Sequence, residues 1–233
     1  MLKTRDVLSA VIVTCEKYLQ SAQEAQKRLE TYGFGKLNFI LGDEKSKNMY
    51  FKNRNFTAAC EFIVKKNLKH CLLFEEDVVL LNTENDLKIF DVVYQWCINH
   101  ESMWEIVNFG GISITPIFPI HKHLGYARCV LGSSLLISQK YAKKFLDLIK
   151  TDGCWTGFDS HIAQTCQKQL KCLPSIFTQE TTPVSAQFVK IEPFYRLHTN
   201  LDAFSIVWSY SIFIGSFCFL CGKNFKWLIF FWI

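Results

Sequence analysis

Apolar and polar positions along the chain change period in a regular order. An apolar, β-branched run from Val7 to Thr14 predicts a buried first strand. Tyr18, Ala22, Ala25, Leu29 and Tyr32 then recur at helical spacing up to Gly33, which predicts an amphipathic helix stopped by glycine. Leu37 to Leu41 predicts a second strand closed by Gly42-Asp43, and the polar stretch Glu44 to Asn55 reads as a loop. Phe56, Ala59, Cys60 and Ile63 mark the next helix, and Cys71 to Phe74 a short strand. A helix from Glu84 to His100 follows, with Leu87, Phe90, Tyr94 and Ile98 on one face, and then a strand from Glu105 to Phe109 that ends at Gly110-Gly111.

The second half is less regular. Ile112 to Tyr126, with Pro116, Pro119, His121 and His123, reads as an irregular loop over the sheet's active edge. Val130 to Ile137 predicts a strand, and Ser138 can cap a helix that buries Tyr141, Ala142, Phe145 and Leu148. Phe158, Ile162, Cys166 and Leu170 predict one face of a further helix. Strands alternating with helices imply βαβ units, so the expected fold class is α/β: a mainly parallel sheet with helices on both faces.

The C-terminus breaks this rhythm. Ala203 to Gly222 holds no charged residue, and twenty helical residues span roughly 30 Å of hydrocarbon. Trp208, Tyr210 and Trp227 suit membrane interfaces. The expected division is therefore a catalytic domain over 1–200 and a hydrophobic, membrane-embedded tail over 201–233. At the other end, Lys3 and Arg5 precede Val7 to Cys15 in the manner of a secretory signal. The run is short, Asp6 interrupts the basic stretch and no small-x-small cleavage site follows, so a first strand is preferred. A tail anchor without a signal peptide places the preceding domain on the cytosolic side.

Composition narrows the functional classes. The 233 residues suffice for one good-sized core. Aromatics make up 15% of the chain, with 21 Phe, too apolar for disorder and suggestive of a membrane contact. The net charge of +5 is spread along the chain without aromatic-basic interleaving, which argues against nucleic acid. Ten cysteines fall mostly within apolar segments, as buried free thiols do, and Cys218-x-x-Cys221 lacks the second pair of a zinc site.

Chemistry concentrates at Leu72-Leu73-Phe74-Glu75-Glu76-Asp77-Val78, where a buried strand runs straight into three carboxylates. In an extended segment Glu75 and Asp77 project to the same side. Crowded carboxylates repel unless a cation joins them, and all-oxygen ligation selects Mg²⁺, Mn²⁺ or Ca²⁺ over zinc. Ligands of open α/β sheets gather at the carboxyl ends of strands, where this triplet falls. A cation held by one or two carboxylates keeps positions open for phosphate oxygens.

The order of blocks around the triplet resembles glycosyltransferase family twenty-five, the lipopolysaccharide and procollagen galactosyltransferases. A helix at Asn55 to Lys66 leads into Cys71-Leu-Leu-Phe-Glu-Glu-Asp-Val78, similar to that family's Leu-Glu-Asp-Asp-Val signature. Trp104-Glu-Ile-Val-Asn-Phe-Gly-Gly111 resembles its Trp-Asp-hydrophobic-Gly-Gly strand. Gly132-Ser-Ser-Leu-Leu-Ile-Ser138 followed by Ala142 and Leu146, and Gly157-Phe-Asp159 to Pro174, resemble its later blocks. The likeness covers roughly residues 7 to 185.

The resemblance implies a GT-A type, Rossmann-like fold and an inverting hexosyltransferase that moves galactose or glucose from a nucleotide sugar, UDP-linked, to a glycan, lipid or protein acceptor with Mn²⁺ or Mg²⁺. It implies Glu75 and Asp77 as metal and diphosphate residues and Glu76 as a supporting acid. His198 is a candidate late metal ligand. Thr14, Arg54 and Asn55 are candidates for contact with the donor. The opening strand departs from the family's Asn-Leu and following arginine, ending instead in Val13-Thr14-Cys15.

Asp159 takes the place of the family's late acid, a general base for the acceptor hydroxyl. Thr156-Gly-Phe-Asp159 also fits a capping box in which Asp159 satisfies the helix start. The competing function is a non-catalytic, membrane-tethered binding or scaffold protein of the same fold. A nucleotidyltransferase would want a glycine-rich phosphate loop, and Val11 to Lys17 contains no glycine.

Overall fold

The computed structural model describes residue 5 and residues 8–35, 37–42, 50–81, 83–130, 133–152 and 157–179. In chain order the elements are β1 (Ala10–Cys15), α1 (Leu19–Thr31), β2 (Asn38–Gly42), α2 (Tyr50–Lys65), β3 (His70–Glu75), β4 (Val78–Leu80) and α3 (Thr83–Asn99). Then come β5 (Ile106–Asn108), β6 (Ile112–Ser113), β7 (Phe118–His121), β8 (Leu124–Tyr126), β9 (Cys129–Val130), β10 (Ser134–Ser138), α4 (Gln139–Asp152), α5 (Phe158–Thr165), β11 (Gln169–Cys172) and β12 (Phe177–Gln179).

Eight strands form the central sheet in the order β2-β1-β3-β10-β5-β11-β8-β7. The register aligns Val13 with Glu75 and Cys15 with Gly42, so β1, β2 and β3 end together at one rim. Strands β1, β2, β3, β5, β7 and β11 run one way and β10 and β8 the other. The α/β class and the mainly parallel sheet therefore hold, with β10 and β8 as the two reversed strands. The reversals arise because β10 returns between β3 and β5, and β8 returns beside β11, each bonding antiparallel to its neighbours.

Strict alternation along the central strands divides the core in two. Ala10, Ile12, Leu72, Phe74, Val107 and Leu136 face α1 and α3. Val11, Val13, Cys71, Leu73, Ile106, Leu135 and Ile137 face α2, α4 and α5. Burial on both faces is why these strands read as continuous apolar runs rather than alternating ones. The first layer holds an aromatic cluster in which Phe34 meets Phe74 edge-on at 5.5 Å and Phe90 at 5.1 Å. Phe34, Phe56, Phe74, Phe90, Phe109, Phe145, Phe158 and Phe177 are all buried, so much of the phenylalanine content lies in the core.

Helix ends follow local chemistry. Gly33 takes φ 82° after α1, the Phe34 N–H bonds the Leu29 carbonyl and the Gly33 N–H that of Glu30, the paired bonds of a Schellman motif. Asn67, at φ 52°, closes α2 in the same way through Leu68 N–H to Ile63 and Asn67 N–H to Val64. Ser138 Oγ accepts the Tyr141 N–H at 3.2 Å, the cap expected at the start of α4.

Three expectations are corrected. Helix α2 already includes Tyr50 to Asn55, the stretch read as the end of a polar loop. Helix α5 ends at Thr165, and Leu170 lies on β11, whose burial between β5 and β8 outweighs the helical spacing of its apolar residues. Part of the segment read as an irregular loop over 112–126 forms the hairpin β7–β8 at the sheet edge, with Pro119 in the edge strand, where a missing N–H is tolerated. Among the described residues no helix is long and apolar enough to cross a membrane. The tail over 201–233 lies outside them.

Candidate functional site

The chain leaving β1 enters α1 on one face of the sheet, and the chain leaving β2 enters α2 on the other. Adjacent parallel strands whose outgoing connections diverge leave a crevice beyond their carboxyl ends. A cleft of about 250 Å³ opens there, and it is lined by Thr14 and Cys15 from β1, Asn55 and Phe56 from α2, and Glu75, Glu76 and Asp77 from the end of β3. Tyr18, Phe158 and Gln179 close its sides.

The three acids reach the cleft by a different geometry from the one expected. Glu75 ends β3, whereas Glu76 and Asp77 form the turn into β4, so the alternation of an extended strand does not apply beyond Glu75. The tight turn brings all three to the same cavity, and each is half-buried. Gln179 reaches this point because β12 pairs antiparallel with β4, aligning Gln179 with Val78. Its Nε2 donates to Glu75 Oε2.

On the opposite wall, Asn55 is only 6% exposed and its Nδ2 donates to the Thr14 carbonyl at 3.4 Å. Its Oδ1 is buried with no hydrogen-bond partner among the described residues. Buried amide oxygens are seldom left so, because the lost hydration costs about 1–3 kcal/mol. An N–H or O–H donor in the cleft would satisfy it. Thr14 is buried, and its hydroxyl donates to the Cys15 carbonyl at 3.3 Å, leaving the backbone at this strand end to shape the floor.

The remaining candidates stand as follows. Arg54 lies in α2, one residue before Asn55, and its side chain is outside the described residues. Asp159 is in the first turn of α5, and Gly157 caps that helix without a side-chain bond. A carboxylate there is favoured by the helix dipole. Its neighbour Phe158 lines the cleft and stacks on Phe56 at 5.2 Å, whereas Asp159 is not among the lining residues. Thr156 and His198 lie outside the described residues.

His123 Nδ1 is hydrogen-bonded to the Leu173 carbonyl at 2.9 Å, near the far edge of the sheet, and His121 faces Trp96. Among the described residues no three His, Cys, Asp or Glu side chains form a ready-made metal cluster. The donor set that does exist is all-oxygen, which fits a hard cation completed by ligand oxygens and does not fit zinc. Sequence reasoning missed Tyr18, Phe158 and Gln179 as lining residues. Phe158 stood next to a named candidate, but Gln179 carried no local signal, since its approach depends wholly on the β12–β4 pairing.

No family model and no curated protein matches this sequence. Solved structures are similar in chain path. One is a glycosyltransferase involved in the glycosylation of the major capsid of PBCV-1, at 9% identity, covering 77% of this chain and 96% of that one with a TM-score of 0.48. Another is the glycosyltransferase GlyE in Streptococcus pneumoniae TIGR4, at 11% identity over 82% of this chain and 60% of that one, TM-score 0.47. A third is CMP:2-keto-3-deoxy-manno-octonic acid synthetase complexed with CTP, at 10% identity over 82% and 99%, TM-score 0.44. These are distant likenesses of fold alone, and the cleft is what a functional reading has to rest on.

Proposed function

We propose that the chain is a nucleotide-sugar-dependent hexosyltransferase of the GT-A type, assisted by Mn²⁺ or Mg²⁺. The observation that carries this reading is one cleft, at the carboxyl rim of β1 and β3, that faces Glu75, Glu76 and Asp77 against the unsatisfied amide oxygen of Asn55. A nucleoside diphosphate has both complements, a polyanion that recruits a cation to carboxylates and a base or ribose that donates hydrogen bonds.

Glu75 and Asp77 would hold the cation and Glu76 would support them, with Gln179 fixing the orientation of Glu75. The bound cation supplies charge neutralisation for the departing diphosphate. Asn55 and the strand end at Thr14 orient the nucleoside, and the aromatic walls Tyr18 and Phe158 exclude water. Asp159 takes the proton of the acceptor hydroxyl, and that acceptor is a glycan, lipid or protein. The catalytic unit covers 1–200, and residues 203–222 anchor it to a membrane with the catalytic domain on the cytosolic side.

The test is nucleoside diphosphate release by the full chain, given a panel of nucleotide sugars with Mn²⁺. Release with one donor is expected, and both chelator and Asp77→Asn should lower it by about 100-fold. Absence of release, together with absence of Mn²⁺-dependent donor binding, would replace this reading with a non-catalytic relative.

A further inference from the structure

A second cleft, of about 320 Å³, lies at the other end of the molecule. It is lined by Thr115, Phe118, Tyr126, Arg128, Gln167 and Gln169 among others. Tyr126 aligns with Phe118 on β7 and with Leu170 near the amino end of β11. Because β11 and β5 run the same way as β1 and β3, this cleft sits at the rim opposite the acidic one.

Its electrostatics are also opposite. Arg128 is half-buried, and its Nη1 is shielded from water with no hydrogen-bond partner among the described residues. Glu105, which like Arg128 acts on the Cys166 thiol, is engaged by the Gln167 N–H at 3.0 Å and by Lys144 and Lys140 at 3.8 and 3.9 Å, and among the described residues no ion pair joins it to Arg128. A desolvated guanidinium N–H lacking an acceptor is costly, and a planar oxyanion is its best complement. Gln169 is used up by Cys129, to which its amide both donates and accepts. Gln167 is exposed, with no such partner for its side-chain amide among the described residues, and Phe118 is 49% exposed.

We propose that this cleft binds an oxyanion carried on a sugar ring, a carboxylate or a phosphate, with the anion on Arg128, ring hydroxyls on Gln167 and the ring's apolar face on Phe118. Aromatic platforms beside amides and a forked cation recognise a ring bearing both hydroxyls and charge better than a bare ion. Binding here requires no turnover in the acidic cleft, so its failure and the failure of glycosyl transfer are read separately.

Ligand-observed NMR titration of the full chain tests it with glucuronate, glucose 6-phosphate, glucose and inorganic phosphate. One or both charged sugars are expected to bind, the tighter naming the anion, with glucose weaker by about tenfold. Arg128→Gln should weaken that binding by about tenfold or more and Phe118→Ala by about threefold, while Asp77→Asn leaves it unchanged. The Arg128 head group has few described partners and Phe118 is exposed, so both variants should fold, which thermal melts check. Glucose binding as tightly as glucuronate, or full affinity in Arg128→Gln, overturns the proposal. Inorganic phosphate binding as tightly as the sugars overturns the ring contact.

Discussion

Gln179 donates its amide hydrogen to Glu75 from 104 residues further along the chain. The bond joins the last described strand to the end of β3 and fixes one oxygen of the carboxylate that opens the acidic triplet. Gln179→Leu removes the donor while keeping the bulk. Partners of this kind typically contribute 10–100-fold to metal affinity or activity, so Mn²⁺-dependent donor binding should fall by about tenfold. Titrating Mn²⁺ against donor binding checks it, and an unchanged Mn²⁺ midpoint would leave Gln179 as lining only.

Gly42 and Asn55 make a second such pair. A methyl group added at Gly42 would overlap the Asn55 amide, which is buried and tied to the Thr14 carbonyl. Gly42→Ala should therefore push that amide off its position and weaken nucleotide binding by about tenfold. In an Asn55→Ala background the same substitution should add little, because the overlapping group is gone. A double-mutant cycle on nucleotide affinity reads this coupling directly.

The features that could be read from sequence are those fixed by local pattern. Runs such as Val11 to Thr14 and Cys71 to Phe74 are apolar on both faces, and Gly33 and Ser138 mark helix ends by their own chemistry. The place of the triplet at a strand end was equally legible. What escaped depended on pairing between distant segments. Leu170 repeats the helical spacing of Phe158 and Ile162 yet lies on a strand, and Gln179 gains its role only when β12 finds β4. Asn55 was visible as a candidate, but its unsatisfied oxygen appears only once Gly42 and Thr14 surround it.

His70, at the start of β3, gives the fold a pH dependence. It is hydrogen-bonded to the Tyr94 hydroxyl at 2.7 Å, and burial lowers its pKa below the ordinary 6.5. The folded state thus favours neutral imidazole, and between the two pKa values the unfolded chain binds more protons. The contribution is present above the unfolded pKa and is lost as pH falls through the folded one. Urea midpoints should fall as pH drops below about 6.5, and His70→Gln should flatten that fall. An identical slope in the variant would assign the loss to other groups.

Phe34 connects the stability of the core to the geometry of the cleft. It follows the glycine that ends α1, bonds back to Leu29 through its N–H, and sets its ring against Phe74, Phe90 and Phe177. Phe177 lies on β12 two residues before Gln179, on the strand that delivers the amide to Glu75. Phe34→Ala leaves a cavity among three rings and should cost about 3–5 kcal/mol, read as a lowered urea midpoint with unchanged slope. Phe34→Leu keeps most of the volume and should cost less than half of that. If β12 depends on this cluster for its position, Phe34→Leu will also weaken Mn²⁺-dependent donor binding, and Phe34→Leu combined with Gln179→Leu will weaken it no further than Gln179→Leu alone.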